Sequence, residues 1–232
     1  MLSLPYTLLK RIIAMSLIKD INLTTGVENG HEYVDLGLSV KWATYNIGAT
    51  KPEEYGDYFA WGETKEKTCY EWENYKFFND VDEKYNIVLS KYITDNDSND
   101  CFFGDIDTKD TLETIDDVAH VKWGGNWRMP KLVEQHELCN KCKWIWTSIN
   151  GIYGYLVTSN ISGYTDRSIF LPAAGFYSYS NLLYTGELGY YWSNCLDFNR
   201  PDGALTIFMN PAFKSTEAMG RSSGLSVRPV CP

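Results

Sequence analysis

Cys139-Asn-Lys-Cys142 is the one closely spaced pair among six cysteines, at positions 69, 101, 139, 142, 195 and 231. A structural zinc site asks for a second such pair or for histidines at matching spacing. His31, His120 and His136 stand far apart and supply neither. A dithiol redox motif sits beside a βαβ unit, and no such pattern surrounds residue 140. Six thiols allow fifteen complete pairings, so the connectivity stays open, with free or partly paired thiols expected. The run Asp95-Asn-Asp-Ser-Asn-Asp100, followed by Asp105, Asp107 and Asp110, offers hard oxygens of the kind calcium takes. It lacks the glycine and the twelfth-position glutamate of an EF-hand loop, so a solvated loop is the plainer expectation and calcium binding stays open. Nucleophile elbows, phosphate loops and dinucleotide fingerprints do not occur. The residues therefore point to no catalytic group, no metal and no cofactor.

What the chain has in quantity is aromatic surface. Its 232 residues include 17 Tyr, 8 Trp and 10 Phe, 15% in all. Tyrosine is a good strand former, but it is also a residue of recognition surfaces, where a rigid amphipathic ring binds at low entropic cost. The net charge of −9 argues against a nucleic-acid footprint and against anionic membranes, both of which need clustered Lys and Arg. From 194 to 223 the chain mixes short polar, charged and aromatic residues around Leu205, Ile207 and Phe208. Asn194, Asp197, Asn199, Arg200, Asn210, Phe213 and Lys214 are the expected ligand-binding residues there, with Tyr177, Tyr179 and Tyr184 from the preceding segment. A mixture of this kind resembles a paratope.

The elements that would hold such a surface follow from pattern. Residues 123–130, Trp-Gly-Gly-Asn-Trp-Arg-Met-Pro, read as a core corner and a strand-to-helix junction, with Leu132, Val133 and Leu138 opening an amphipathic helix. Asp116 and Asp117 just upstream suit a helix cap or an ion pair with Arg128. Alternation of Val34, Leu36, Leu38, Val40 and Trp42 predicts a half-buried strand over 32–44, and 51–90 reads as long loops with short helices. Residues 143–176 read as strands joined by Asn-Gly and Ser-Gly turns that build the central sheet, with further strands at 189–193 and 225–230. The first 20 residues form a poor signal peptide, because Lys10 and Arg11 interrupt the apolar run, and they are too short and charged to span a bilayer. An amphipathic helix remains as their reading. The expected organisation is a helix and linker over 1–30 and one domain over 31–232.

Five ordered motifs carry a resemblance: Tyr33-Val-Asp-Leu-Gly-Leu-Ser-Val-Lys-Trp-Ala43, Tyr55-Gly-Asp-Tyr-Phe-Ala-Trp-Gly-Glu63, the Trp123 stretch, Ile169-Phe-Leu-Pro-Ala-Ala-Gly175 and Gly224-Leu-Ser-Val-Arg-Pro-Val-Cys231. Together they resemble the Fibrobacter succinogenes major paralogous domain, a family abundant in gut Bacteroidetes, over roughly residues 31 to 232. The resemblance implies a C-type-lectin-like α+β fold of the formylglycine-generating-enzyme-like branch, with a mixed or antiparallel sheet, few helices and long loops. It is similar, too, to the variable proteins of diversity-generating retroelements, including phage receptor-binding proteins. Its implied function is a non-enzymatic module on a cell surface or virion, extracellular, binding a protein or glycan on a target cell. Partners implied besides the ligand are a homo-oligomer or a larger virion assembly reached through the N-terminal helix, with no nucleic acid and no membrane insertion. Two other readings stay open: a structural virion or surface-assembly protein using the fold for docking or decoration, and an oxidase. The oxidase would need a close pair of reactive cysteines, whereas Cys195 and Cys231 are far apart in sequence. Relatives often carry a cysteine where Tyr45 stands here, which puts a family disulfide through this position in doubt.

Overall fold

The computed structural model describes residues 24–83, 86–94 and 102–232. The N-terminal helix expected over residues 1–20 and the acidic run 95–100 lie outside the described residues. Described strands are mostly antiparallel and are joined by two helices and two 3-10 turns, an α+β fold.

The chain opens with β1 (Gly26–Glu28) and β2 (His31–Val34), an antiparallel hairpin. Asn29 and Gly30 turn it with φ of 44° and 84°, the positive pair that a tight two-residue hairpin requires. Residues 26–30, read from sequence as linker, therefore belong to the first sheet. The single strand expected over 32–44 is two, because the chain leaves β2 at Asp35, whose Oδ1 accepts the Gly37 N–H at 2.9 Å, and Gly37 sits at φ 71°. It returns as β3 (Lys41–Ala43). The alternation still marks the buried side: Val34, Leu36, Val40 and Trp42 are all buried. The last strand, β15 (Val230–Cys231), pairs with β3, so the first and last described strands share one four-stranded sheet, β1-β2-β3-β15.

A three-stranded sheet of β12 (Gly189–Leu196), β13 (Gly203–Met209) and β14 (Lys214–Gly220) has core on both faces. Side chains alternate along a strand. Tyr191, Ile207 and Met209 enter one apolar cluster with Val34, Trp42 and Val230, while Trp192, Leu196 and Ala204 enter another with Phe59, Trp61 and Trp127. This sheet holds the middle of the molecule. The segment expected to do so forms a separate sheet of β7 (Cys142–Ile149), β8 (Ile152–Ser159) and β9 (Ser168–Pro172), with its Asn150-Gly151 turn at φ 50° and 87°. The 51–90 stretch supplies a 3-10 turn (Trp72–Asn74) and two short strands, β4 (Phe78–Val81) and β5 (Ile87–Leu89), the latter parallel to β6 (Phe102–Gly104). A small hairpin, β10 (Phe176–Ser178) and β11 (Asn181–Leu183), fills what reads as a tyrosine loop.

The Trp123 corner joins two helices rather than a strand and a helix. Asp117 caps α1 (Val118–Trp123) by accepting the N–H groups of Ala119 and His120. Gly124 and Gly125, at φ 65° and 56°, turn the chain. Arg128 bridges to Val230 in β15 before α2 (Leu132–Lys141) begins. Trp127 is wholly buried, its indole N–H donating to the Glu28 carbonyl at 2.8 Å, and Trp123 stacks on His31 at 3.9 Å. Arg128 pairs with Glu134, at 2.7 and 2.5 Å, and not with the upstream aspartates. The five described cysteines, 69, 139, 142, 195 and 231, are free thiols, and burial pushes Cys139 and Cys231 up to about 11 and Cys142 to about 12.

Candidate functional site

Where β12 begins and β13 ends, the face of the central sheet that carries Trp192 runs out of core and into solvent. Tyr190 on β12 stands opposite Phe208 on β13, and their rings lie 5.0 Å apart. Tyr190 also meets Phe176 of β10 edge-on at 5.4 Å, and Phe176 stacks on Tyr184 at 5.9 Å. On the other side Phe208 meets Phe213 at 5.6 Å. The result is a row of five rings, Tyr184–Phe176–Tyr190–Phe208–Phe213, each pair within the range of favourable aromatic geometry. The inner three are half-buried and fixed by strands; Tyr184 and Phe213 at the ends are each 53% exposed.

The turn between β13 and β14 links this row to a second one. Asn210 ties the turn by accepting the N–H groups of Ala212 and Phe213 on its side-chain oxygen, at 2.8 and 3.0 Å. Its carbonyl accepts the Tyr155 hydroxyl at 2.9 Å, and the Lys214 ammonium lies 5.2 Å from the centre of the Trp144 ring. Trp144 and Trp146 both meet Tyr155 edge-on, and Trp146 stacks on Tyr153, which is 52% exposed. The two rows, of five and of four rings, pack against opposite faces of the central sheet and reach the 210–214 turn from its two sides, on backbone held by two sheets. A ring row of this kind offers apolar area already ordered, so a ligand covering it would freeze few side-chain torsions.

The ten residues singled out from sequence do not form one patch. Asn210, Phe213 and Lys214 come together at the turn, Asn210 as its staple, while Tyr184 stands at the far end of the ring row, with three rings between it and Phe213. Asn199 and Arg200 are exposed but sit in the β12–β13 connection at the opposite end of the seven-residue β13, roughly 20 Å away at strand rise. Arg200 there is paired with Asp202 at 2.6 Å. Asn194 and Asp197 are 8% and 7% exposed, a correction to their reading as surface residues, because β12 runs on to Leu196 instead of ending at 193. Tyr177 is half-buried between Tyr58 and Tyr70, and Tyr179 is exposed on a backbone pairing with Tyr70. Of the acidic segment, Asp107 is occupied in the fold, its carboxylate accepting the N–H groups of Tyr92, Ile93 and Lys109.

Phe176, Tyr190, Phe208, Trp144, Trp146, Tyr153 and Tyr155 escaped the sequence reading because their place depends on cross-strand register. The available signal was an aromatic at alternate positions of neighbouring strands, as in Trp144 and Trp146. Among the described residues no group of three or more His, Cys, Asp or Glu is placed to hold a metal ion, and no helix is long and apolar enough to cross a membrane. Compared with family models, curated proteins and solved structures, the chain matches none.

Proposed function

We propose that this protein is a non-enzymatic binding module of C-type-lectin-like fold that takes a protein or glycan on a target cell surface, displayed on a cell surface or virion. Its ligand lies across the aromatic rows around the 210–214 turn. The observation that carries this reading is the pair of half-exposed rings, Tyr184 and Phe213, ending a row whose inner members are fixed by strands. Isolated exposed aromatics need no explanation; a contiguous exposed patch is the mark of an interaction site. The five ordered motifs and their resemblance to the variable ligand-binding proteins support the same reading, with the surface narrowed from the whole 194–223 segment to the turn within it and the rings beside it.

The test uses the intrinsic fluorescence of Trp144 and Trp146. The full chain is screened against arrayed glycans and intact gut bacterial cells, and hits are titrated in solution. Ligands of the aromatic surface shift tryptophan emission in the parent protein, and Trp146→Phe reduces that shift. Binding that leaves the emission of both proteins unchanged contradicts the placement.

A further inference from the structure

We infer that a second binding site, distinct from the aromatic surface, lies under the Trp123 corner and accepts a small neutral polyol. A cavity of about 390 Å3 opens there, walled by Leu112, Asp117, His120, Trp127, Arg128 and Asn194, with Thr114 at its exposed rim. That volume falls in the lower part of the range of small-molecule sites, about 300–1,000 Å3. It would hold roughly a dozen waters at liquid density, more than one bridging water needs.

Asn194 is what points to a ligand. It lies on β12 where the register against β13 shifts between Trp192 and Leu196, and it is only 8% exposed. Its backbone is tied on both sides, with its N–H donating to Pro130 O and its carbonyl accepting from Leu112, each at 2.9 Å. Its side-chain oxygen accepts the Cys195 thiol at 3.3 Å, and its amide nitrogen has no protein partner among the described residues and stays open to the cavity. An amide open to a cavity is satisfied by water, and a ligand hydroxyl can take that water's place.

The charges around the cavity select the class of ligand. The Arg128 guanidinium is already neutralised by Glu134 and donates besides to the Met129 carbonyl. The Asp117 carboxylate accepts N–H groups from Ala119, His120 and Met129. Pro232 also lines the cavity, its carbonyl oxygen taken by the Lys41 ammonium, so these side chains leave no unpaired charge facing it. What remains is hydrogen-bonding capacity of both senses: the Asn194 amide, the Thr114 hydroxyl and the imidazole nitrogen of His120 that does not meet the Trp127 carbonyl. Hydroxyl groups both donate and accept, so a compact neutral polyol matches that wall without a desolvation penalty for charge.

The experiment is a ligand-observed NMR titration of the full chain with glycerol, D-glucose and myo-inositol, each to about 50 mM, some fifty times a Kd of 1 mM, beside acetate and phosphate. Saturation transfer to at least one polyol is expected. Asn194→Leu should weaken it about tenfold or more, and Thr114→Val, a surface change that spares the fold, severalfold. Phe213→Ser should leave it unchanged, which separates this site from the aromatic surface. The inference is overturned if no polyol binds, leaving an ordered-water cavity only. It is equally overturned if binding survives both cavity variants, or if acetate or phosphate binds in preference to every polyol.

Discussion

Asp116 and Asp117 are adjacent in sequence and opposite in electrostatics. Burial alone would raise both. For Asp116 the ammonium groups of Lys76 and Lys91 and the Tyr92 hydroxyl, each at 2.5 Å, outweigh it and hold the carboxyl below its ordinary range. For Asp117 only backbone N–H groups and the more distant His120 oppose burial, and the carboxyl stays above that range. A carboxyl with a depressed folded pKa contributes stability that is present above its ordinary value and lost as pH falls through the folded one. Urea midpoints of the parent should therefore fall below about pH 4 more steeply than those of Asp116→Asn. At neutral pH the variant should lose roughly 1.5–3 kcal/mol, the range of a hydrogen bond to a charged group, since Lys76 keeps solvent contact. Equal acid slopes in the two proteins would contradict this account. Arg228 makes a second case: wholly buried, it has no carboxylate and donates instead to Asn46 and to the carbonyls of Ala43, Thr44 and Phe170. Burial draws its pKa down to about 10, so it stays charged at neutral pH. Arg228→Leu orphans those acceptors and should cost at least about 3 kcal/mol in urea unfolding, counting 1–3 for each unpaired group.

At the scale of elements, local pattern identified the buried side chains better than the strand ends. Val34, Leu36, Val40 and Trp42 were legible as one apolar face, yet Gly37 and the Asp35 side chain break the strand there, a local hydrogen bond overriding periodicity. Asn150-Gly151 announced its hairpin, since that turn needs two residues tolerant of positive φ. The helix α1 went unread: six residues give too little periodicity, and its Asp117 cap also admitted an ion pair with Arg128. The corner itself was legible as core. Trp127→Ala should cost about 3–5 kcal/mol, while Val133→Ser, on the 67% exposed side of α2, should stay within about 0.5 kcal/mol. Chemical denaturation of the two variants checks both, and a Trp127→Ala loss near 1 kcal/mol would remove that ring from the core.

At the scale of the molecule, β3 and β15 pair across nearly the whole described chain, and the central sheet carries core on both faces. One cooperative unfolding transition is therefore expected, with near-ultraviolet circular dichroism and calorimetry coincident; two separated transitions would mean two units. Long-range closure also explains why half of the candidate site was invisible in sequence. Tyr184 and Phe213 stood out as polar-flanked aromatics, but which rings join them is decided by the register of β12 on β13 and by the β10–β11 hairpin. The most direct measurement of the central claim compares two double variants for affinity to a ligand identified on the arrays or cells. Tyr184→Ser with Phe213→Ser should lower affinity by roughly thirtyfold, about 2 kcal/mol for an interface hot spot, at an unchanged melting temperature. Asn199→Ser with Arg200→Ser, about 20 Å away along β13, should change it less than threefold. The reverse order, with the 199–200 pair losing binding and the aromatic pair keeping it, would contradict the account.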